Sequence, residues 1–302
     1  MSEIASYGRL QAYKRLIRPP NSVTAGIAVV TALFLAIEPN QKPFGLGIYI
    51  AVAAAAFFVT AHAMVHNDIV DLGVDKINAS HRPLPMKIVS MPEAKIFAII
   101  LFLLACISGW IADTLLGLKY PFSFLWAILN MILLDLYNLK FKKSGLIGNL
   151  IVAYVVWALF IYADVIIGDT IDVQVEAIGL FAFFMNWGRE VIKGIRDIEG
   201  DRDGGVRTIA VRFGEKGGAL VGSFLLFIAV LSTIPLIINP RGSIAIPYIL
   251  GGFDLFIIYR SVNLIRSPTP QYANQTKLWM LYLMFFAMLV LLLDQLIIVF
   301  FS

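Results

Sequence analysis

LGIYIAVAAAAFFVTAHAMVHNDIVDLGVDK, residues 46–76, joins a membrane-length apolar run to a dense acidic cluster. Residues 46–66 contain no Asp, Glu, Lys or Arg, and a helix needs about 20 such residues to cross about 30 Å of hydrocarbon. Asn67, Asp68, Asp71 and Asp75 follow at once. An aspartate in a bilayer-spanning helix costs about 2.5–3.5 kcal/mol on insertion scales, so a group of them calls for compensation by metal ions or nearby cations. Continued as a helix, Asn67, Asp71 and Asp75 fall at i, i+4 and i+8 and form one polar stripe, with Asp68 beside it. The stretch predicts a membrane helix whose end carries an array of oxygen ligands.

The rest of the chain repeats the apolar half of this pattern. Of the 302 residues 59% are hydrophobic and only 15% charged, which excludes a water-soluble enzyme and places the chain in the polytopic membrane class. Apolar stretches at 20–37, 46–66, 92–112, 121–136, 146–167, 175–195, 218–238, 244–265 and 278–301 predict an all-α fold, a polytopic membrane bundle of nine transmembrane helices. The first follows Lys14, Arg15 and Arg18 but ends in no small-residue cleavage site, and it is read as a retained helix. With the N-terminus on the cytoplasmic side, all of the 24 Lys and Arg except Lys42, Lys119 and Arg241 fall in cytoplasmic segments. That asymmetry explains the basic balance without nucleic acid, and it predicts a multi-pass protein of the cell membrane with both acidic clusters facing the cytoplasm. No linker or low-complexity tract divides the chain, so residues 1–302 are expected to form a single membrane domain. Glu38, Asp113, Asp164, Asp169, Asp172 and Glu176 fall mostly in or beside outer loops, where solvated charge is expected. Cys106, the sole cysteine, lies in the third apolar stretch, and a packing role is expected for it.

A second acidic element, Asp197-x-x-x-Asp201, ends the sixth stretch, with Lys193, Arg196, Arg202 and Arg207 close by. The second and sixth stretches thus share a faint internal echo, each followed by a further basic residue, Arg82 or Arg207. Carboxylates four apart share a helix face and suit Mg2+, which takes one or two protein carboxylates together with substrate phosphates and water. Interleaved cations suit the remaining phosphate oxygens. Two such arrays can hold one polyphosphate. Ca2+ is disfavoured because EF-hand spacing is absent, and Zn2+ because His62, His66 and His81 show no supporting cysteine pattern. His62 and His66 share a helical face, where packing or hydrogen bonding is the preferred reading. Gly200, Gly204 and Gly205 are expected to end the second acidic helix. Arg18, in Arg-Pro-Pro, and Tyr137, Lys140 and Lys142, in Tyr-Asn-Leu-Lys-Phe-Lys-Lys, bring further polar groups to the same side. Topology-setting charge is the alternative for both elements, and the preferred reading for Lys143.

Asn-x-x-x-Asp-x-x-x-Asp after the second stretch, Asp-x-x-x-Asp after the sixth and Arg-Pro before the first, in a chain of nine expected spans, resemble the UbiA superfamily of intramembrane prenyltransferases over essentially the whole length. Asp75-Lys76-Ile77-Asn78 followed by Arg82-Pro83-Leu84-Pro85, the Leu-Tyr-Asn-Leu-Lys run at 136–140, and the segment from Gly188 to Asp201 are similar to the archaeal digeranylgeranylglyceryl phosphate synthases. Where relatives often have Ser-Gly after Arg-Pro-Leu-Pro, this chain has Met86-Lys87.

The resemblance implies a UbiA-like fold with its cavity open toward the cytoplasmic side. It also implies Mg2+-dependent transfer of a geranylgeranyl group from geranylgeranyl diphosphate to the sn-2 hydroxyl of geranylgeranylglyceryl phosphate, with release of diphosphate. Asn67, Asp68, Asp71, Asp75, Asp197 and Asp201 would hold the metal. Arg18, Arg82, Tyr137, Lys140, Lys142 and Lys193 would contact phosphate, and Asp68 or Glu190 would be candidate bases. The long tails would stay in membrane lipid, and a water-excluding aromatic lining would suit the allylic cation. Two readings stay open beside it: a UbiA-type enzyme acting on an aromatic acceptor, as in quinone or haem O formation, and an ion-coupled transporter, which predicts substrate flux without turnover.

Overall fold

The structure, a computed structural model, describes residues 8–37, 42–167 and 171–301, and every helix or strand assigned among them is a helix. In chain order these are α1 (Arg9–Ile17), α2 (Pro19–Ala36), α3 (Leu46–Val70), α4 (Leu72–Asn78), α5 (Met91–Leu116) and α6 (Phe122–Leu136). A π-helical turn (Tyr137–Phe141) and a 3-10 turn (Lys142–Ser144) follow. Then come α7 (Leu146–Ile167), α8 (Val173–Arg196), α9 (Ile198–Asp203), α10 (Ile209–Ser232), α11 (Ile234–Ile238), α12 (Ala245–Arg266) and α13 (Pro270–Phe301).

Among the described residues, 8 segments are long and apolar enough to cross a membrane. They account for each expected span except 175–195. That stretch is α8, which has the length, at 24 residues, but carries Glu176, Arg189, Glu190 and Lys193. It packs against α7, α10 and α13. Helical neighbours in place of lipid let a long helix keep a polar face. The amphipathic α1 is an addition to the expected elements, too polar to register as an apolar run, whereas α4 and α9 carry the two acidic repeats on as short separate helices, with Gly204 capping α9.

The helices group into two compact units. The first comprises the chain up to Ile27 together with Phe44–Leu139. In it α3 packs against α5 and α6, and α1 lies along α3. Ala12 and Leu16 of α1, Ala61 and Val65 of α3, and Ala94, Ala98 and Leu101 of α5 form one core cluster. Cys106 is free and buried among Val59, Ala105, Ala127 and Met131, as expected of a packing cysteine. Helix α5 begins with a reciprocal cap between Ser90 and Glu93. Asp113, near its end, is no solvated loop charge: it is 5% exposed and accepts from the backbone N–H groups of Ser123 (2.7 Å) and Phe124 (3.0 Å), so it caps the start of α6.

The second unit comprises Ala28–Pro43 and Lys140–Ser302 and is built around α8. Helices α8 and α10 come together at glycines. A Cβ on Gly188 would stand 3.0 Å from the Gly222 carbonyl oxygen, and one on Gly222 would stand 2.5 Å from Ile192 Cγ1. Gly218 and Gly222, four apart on α10, form the small-residue face that lets two membrane helices approach closely. Asp172 also departs from the solvated reading: it caps α8 through the N–H groups of Gln174 and Val175 and pairs with Arg241. Glu38 and Asp169 lie outside the described residues.

Candidate active site

In the first unit the acidic repeat sits where α3 gives way to α4. Asp71 closes one helix and opens the next, yet the helical spacing survives the break. The Asp71 N–H donates to the Asn67 carbonyl (2.9 Å), Asp75 to Asp71 (2.8 Å) and Ala79 to Asp75 (2.9 Å). The expected i, i+4, i+8 register of Asn67, Asp71 and Asp75 is thus held by main-chain bonds.

Around that frame, acids and cations alternate. Arg18 Nη2 lies 2.6 Å from Asp68 Oδ1 and 3.5 Å from Asn67 Oδ1. Arg82 Nη1 lies 3.4 Å from the same Asp68 oxygen and 2.6 Å from Asp75 Oδ2. Asp68 and Asp75 are 3% and 6% exposed, so each guanidinium balances a buried carboxylate. Both arginines reach the site by local construction. Arg18 occupies the single-residue junction of α1 and α2 in the left-handed region (φ 45°), a sparsely populated conformation for a side chain other than glycine, and Pro19 begins the next helix. Arg82 lies in the turn after α4, where its N–H donates to the Ala79 carbonyl (2.9 Å).

The π-helical turn that begins at Tyr137 is fastened to this cluster by Asn138, a residue that the sequence reading passed over. Buried Asn138 accepts from Asn67 Nδ2 (3.1 Å) and donates to the Ala63 carbonyl (3.3 Å). Tyr137 is half-buried on the same turn. Single π-type turns recur at functional sites, and an Asn inside a Tyr-Asn-Leu-Lys run was the available signal.

In the second unit the other repeat has the same local construction. Asp197 ends α8 and opens α9, and the Asp201 N–H donates to its carbonyl (2.8 Å). Arg196 grips Asp197 with two bonds, Nε to Oδ1 (2.6 Å) and Nη2 to Oδ2 (3.0 Å), and extends Nη1 to Asn274 of α13 (3.0 Å). Lys193 Nζ sits 3.2 Å from Glu190, which also receives Arg189 at 3.2 Å. Glu190 is therefore tied to two cations, an unpromising state for the base considered above. Burial, and next the Asp197 carboxylate, push the Asp201 carboxyl above its ordinary range, while Lys193, Thr208 and Arg196 oppose the shift. Crowded carboxylates of this kind are stabilised by a bound cation.

Of the expected lysines, Lys140 is exposed, with Nζ 5.7 Å from the centre of the Phe141 ring, and Lys142 lies half-buried in the 3-10 turn. The echo between the repeats also stops at the following arginine: Arg82 is bonded to its repeat, whereas Arg207 is exposed and gives its main-chain N–H to the Lys143 carbonyl (3.3 Å). Positive-φ Gly145 lies against the Arg207 carbonyl, where a Cβ would collide with it. His62 and His66 do form hydrogen bonds, as preferred from the sequence, and the shared partner is Asp135 of α6.

Comparison with known proteins gives these clusters a context. Over 272 residues the chain is 32% identical to the digeranylgeranylglyceryl phosphate synthase of Methanococcus aeolicus, covering 89% of this chain and 91% of that one. A solved digeranylgeranylglyceryl phosphate synthase structure superposes with a TM-score of 0.74 at 28% identity, covering 95% of this chain and 98% of the other. A UbiA homolog from Archaeoglobus fulgidus, solved with DMAPP and Mg2+, shares the fold with a TM-score of 0.62 at 19% identity over 90% of this chain and 98% of that one. The sequence profile of the UbiA prenyltransferase family matches residues 25–294. With two arginine-bonded Asp-x-x-x-Asp repeats at helix junctions and a family match across nearly its whole length, the chain belongs to the UbiA prenyltransferase family.

Proposed function

We propose that the protein transfers the geranylgeranyl group of geranylgeranyl diphosphate to the sn-2 hydroxyl of geranylgeranylglyceryl phosphate. The hydroxyl oxygen forms the new ether bond as the allylic C–O bond breaks, and diphosphate and the hydroxyl proton are the other products. The observation that carries this reading is the pairing of acids with cations at two repeats of equal register; the acceptor rests on kinship with the named synthases.

The donor set fits Mg2+. Asn67, Asp71, Asp75, Asp197 and Asp201 offer hard oxygens, and Asp201 is crowded by Asp197. Asp68 belongs to the set through the two arginines it holds. Bound at these residues, Mg2+ supplies positive charge to a departing diphosphate. Arg18 and Arg82, already poised on the carboxylates, bind phosphate oxygens, with Tyr137, Lys140, Lys142 and Lys193 as further contacts. The apolar helices keep both isoprenoid tails in lipid. The charge asymmetry of the loops supports a cytoplasmic N-terminus, with the repeats and the cavity mouth on that side. The family match runs through both compact units, which supports one catalytic domain over residues 1–302.

The test is diphosphate release by the purified protein given geranylgeranyl diphosphate and geranylgeranylglyceryl phosphate, with and without Mg2+. Turnover with this acceptor, lost on chelation, is the expected result. Turnover only with an aromatic acceptor would reassign the substrate. Asp71→Ala and Asp197→Ala should each abolish release while the protein still purifies as a folded species in detergent. Full activity in either would remove that repeat from the reaction.

A further inference from the structure

We propose that His62, His66 and Asp135 form a zinc-binding site in the first unit, distinct from the oxygen-rich repeat that begins at the next residue, Asn67. His62 and His66 lie one turn apart on α3, and Asp135 approaches from α6. One donor atom from each converges within 4.8 Å of the others. His62 Nε2 stands 3.3 Å from both Asp135 oxygens, and His66 Nδ1 bonds Asp135 Oδ1. Four-coordinate zinc with bonds of about 2.0–2.1 Å places neighbouring donors about 3.3 Å apart, which is the separation of the His62 and Asp135 donors.

A support from outside the ligand set fixes the orientation. His62 Nδ1 lies 3.0 Å from the Ala98 carbonyl of α5, an acceptor only, so Nδ1 carries a proton and donates to it. Nε2 is left as the nitrogen that faces the Asp135 carboxylate: it donates a hydrogen bond there when protonated and offers its lone pair to a metal when not. A ligating histidine whose other nitrogen donates to a backbone carbonyl is the usual supporting arrangement of a metal site. His62 is 7% exposed, and its ring meets Phe102 edge-on at 5.8 Å, so the site is shielded on that side. Imidazole nitrogens with one carboxylate favour zinc over the magnesium that suits the all-oxygen repeat next to it. A metal there would clamp α3 to α6 immediately before Asn67 and Asn138, the pair that joins the acidic repeat to the π-helical turn.

The full chain, prepared in detergent with no polyhistidine tag and stripped by chelator, is titrated with Zn2+ and then with Co2+ as a visible probe. About one zinc retained per chain after gel filtration, with the absorption of four-coordinate Co2+, is the expected result. His62→Ala and Asp135→Ala should each weaken retention at least about tenfold. Asp71→Ala, which alters only the oxygen repeat, should leave retention unchanged. Thermal midpoints supply a control for folding: Zn2+ should raise that of the unaltered chain and leave that of Asp135→Asn unmoved. Zinc retention no greater in the unaltered chain than in His62→Ala, or retention lost in Asp71→Ala and kept in Asp135→Ala, would overturn the site. Neither outcome bears on prenyl transfer, which the diphosphate assay tests separately.

Discussion

At the scale of single residues, Arg18 shows how a backbone position is given over to chemistry. Its left-handed conformation costs about 1–2 kcal/mol relative to the ordinary helical region, and glycine would adopt it more readily. What arginine adds is a guanidinium 2.6 Å from Asp68, a carboxylate only 3% exposed. Arg18→Ala removes a bond to a buried charge, worth about 1.5–3 kcal/mol. Under the proposed reaction it should raise the KM for geranylgeranyl diphosphate about ten- to hundredfold, read from the substrate dependence of initial rates. An unchanged KM would leave Arg18 a structural partner of Asp68 only. The sequence exposed Arg18 through its Arg-Pro-Pro context, but the pairing with Asp68 lay 50 residues away. Asp135 was hidden for the same reason: its histidine partners are 69 and 73 residues distant, and a lone aspartate in an apolar run carries no mark of them.

At the scale of elements, hydropathy located the long helices because a bilayer leaves an apolar run no other way to satisfy its backbone. It could not locate α4, α9 or the π-helical turn, whose geometry depends on what they pack against. Helix α8 marks the boundary between these cases. Its ends were readable from composition, but the burial that permits Arg189, Glu190 and Lys193 depends on α7, α10 and α13. The fit of α8 to α10 is close enough to test. A side chain at Gly222 would begin 2.5 Å from Ile192 Cγ1, and Ile192 is fully buried, with no room to withdraw. Gly222→Leu should therefore destabilise the fold by about 1–3 kcal/mol, seen as a lower thermal midpoint in detergent. A midpoint equal to that of the unaltered chain would mean that the two helices can separate without loss. Gly200 has open space around its missing Cβ, so Gly200→Ala should leave the midpoint in place and serves as the internal comparison.

For the molecule as a whole, the distribution of charge is the strongest determinant of how the chain lies in a membrane. All Lys and Arg but Lys42, Lys119 and Arg241 fall in alternate loops and the helix segments beside them, which can share one side, and such a bias sets orientation because translocating cationic segments is disfavoured. Under the proposed function the same bias would bring the basic groups to the side proposed for the acidic repeats, so that one set of residues would serve topology and anion binding. Cys106 makes the orientation measurable. It is the sole cysteine, and Cys106→Ala removes it from a packed position at the cost of a small cavity. On that background, single cysteines replace Lys119, which is exposed after α5, and Lys143, which is exposed before α7. In intact cells a membrane-impermeant maleimide should label Lys119→Cys and spare Lys143→Cys, with both labelled after permeabilisation. The reverse pattern would put the N-terminus outside and carry Arg18, Asp71 and Asp197 away from the cytoplasm.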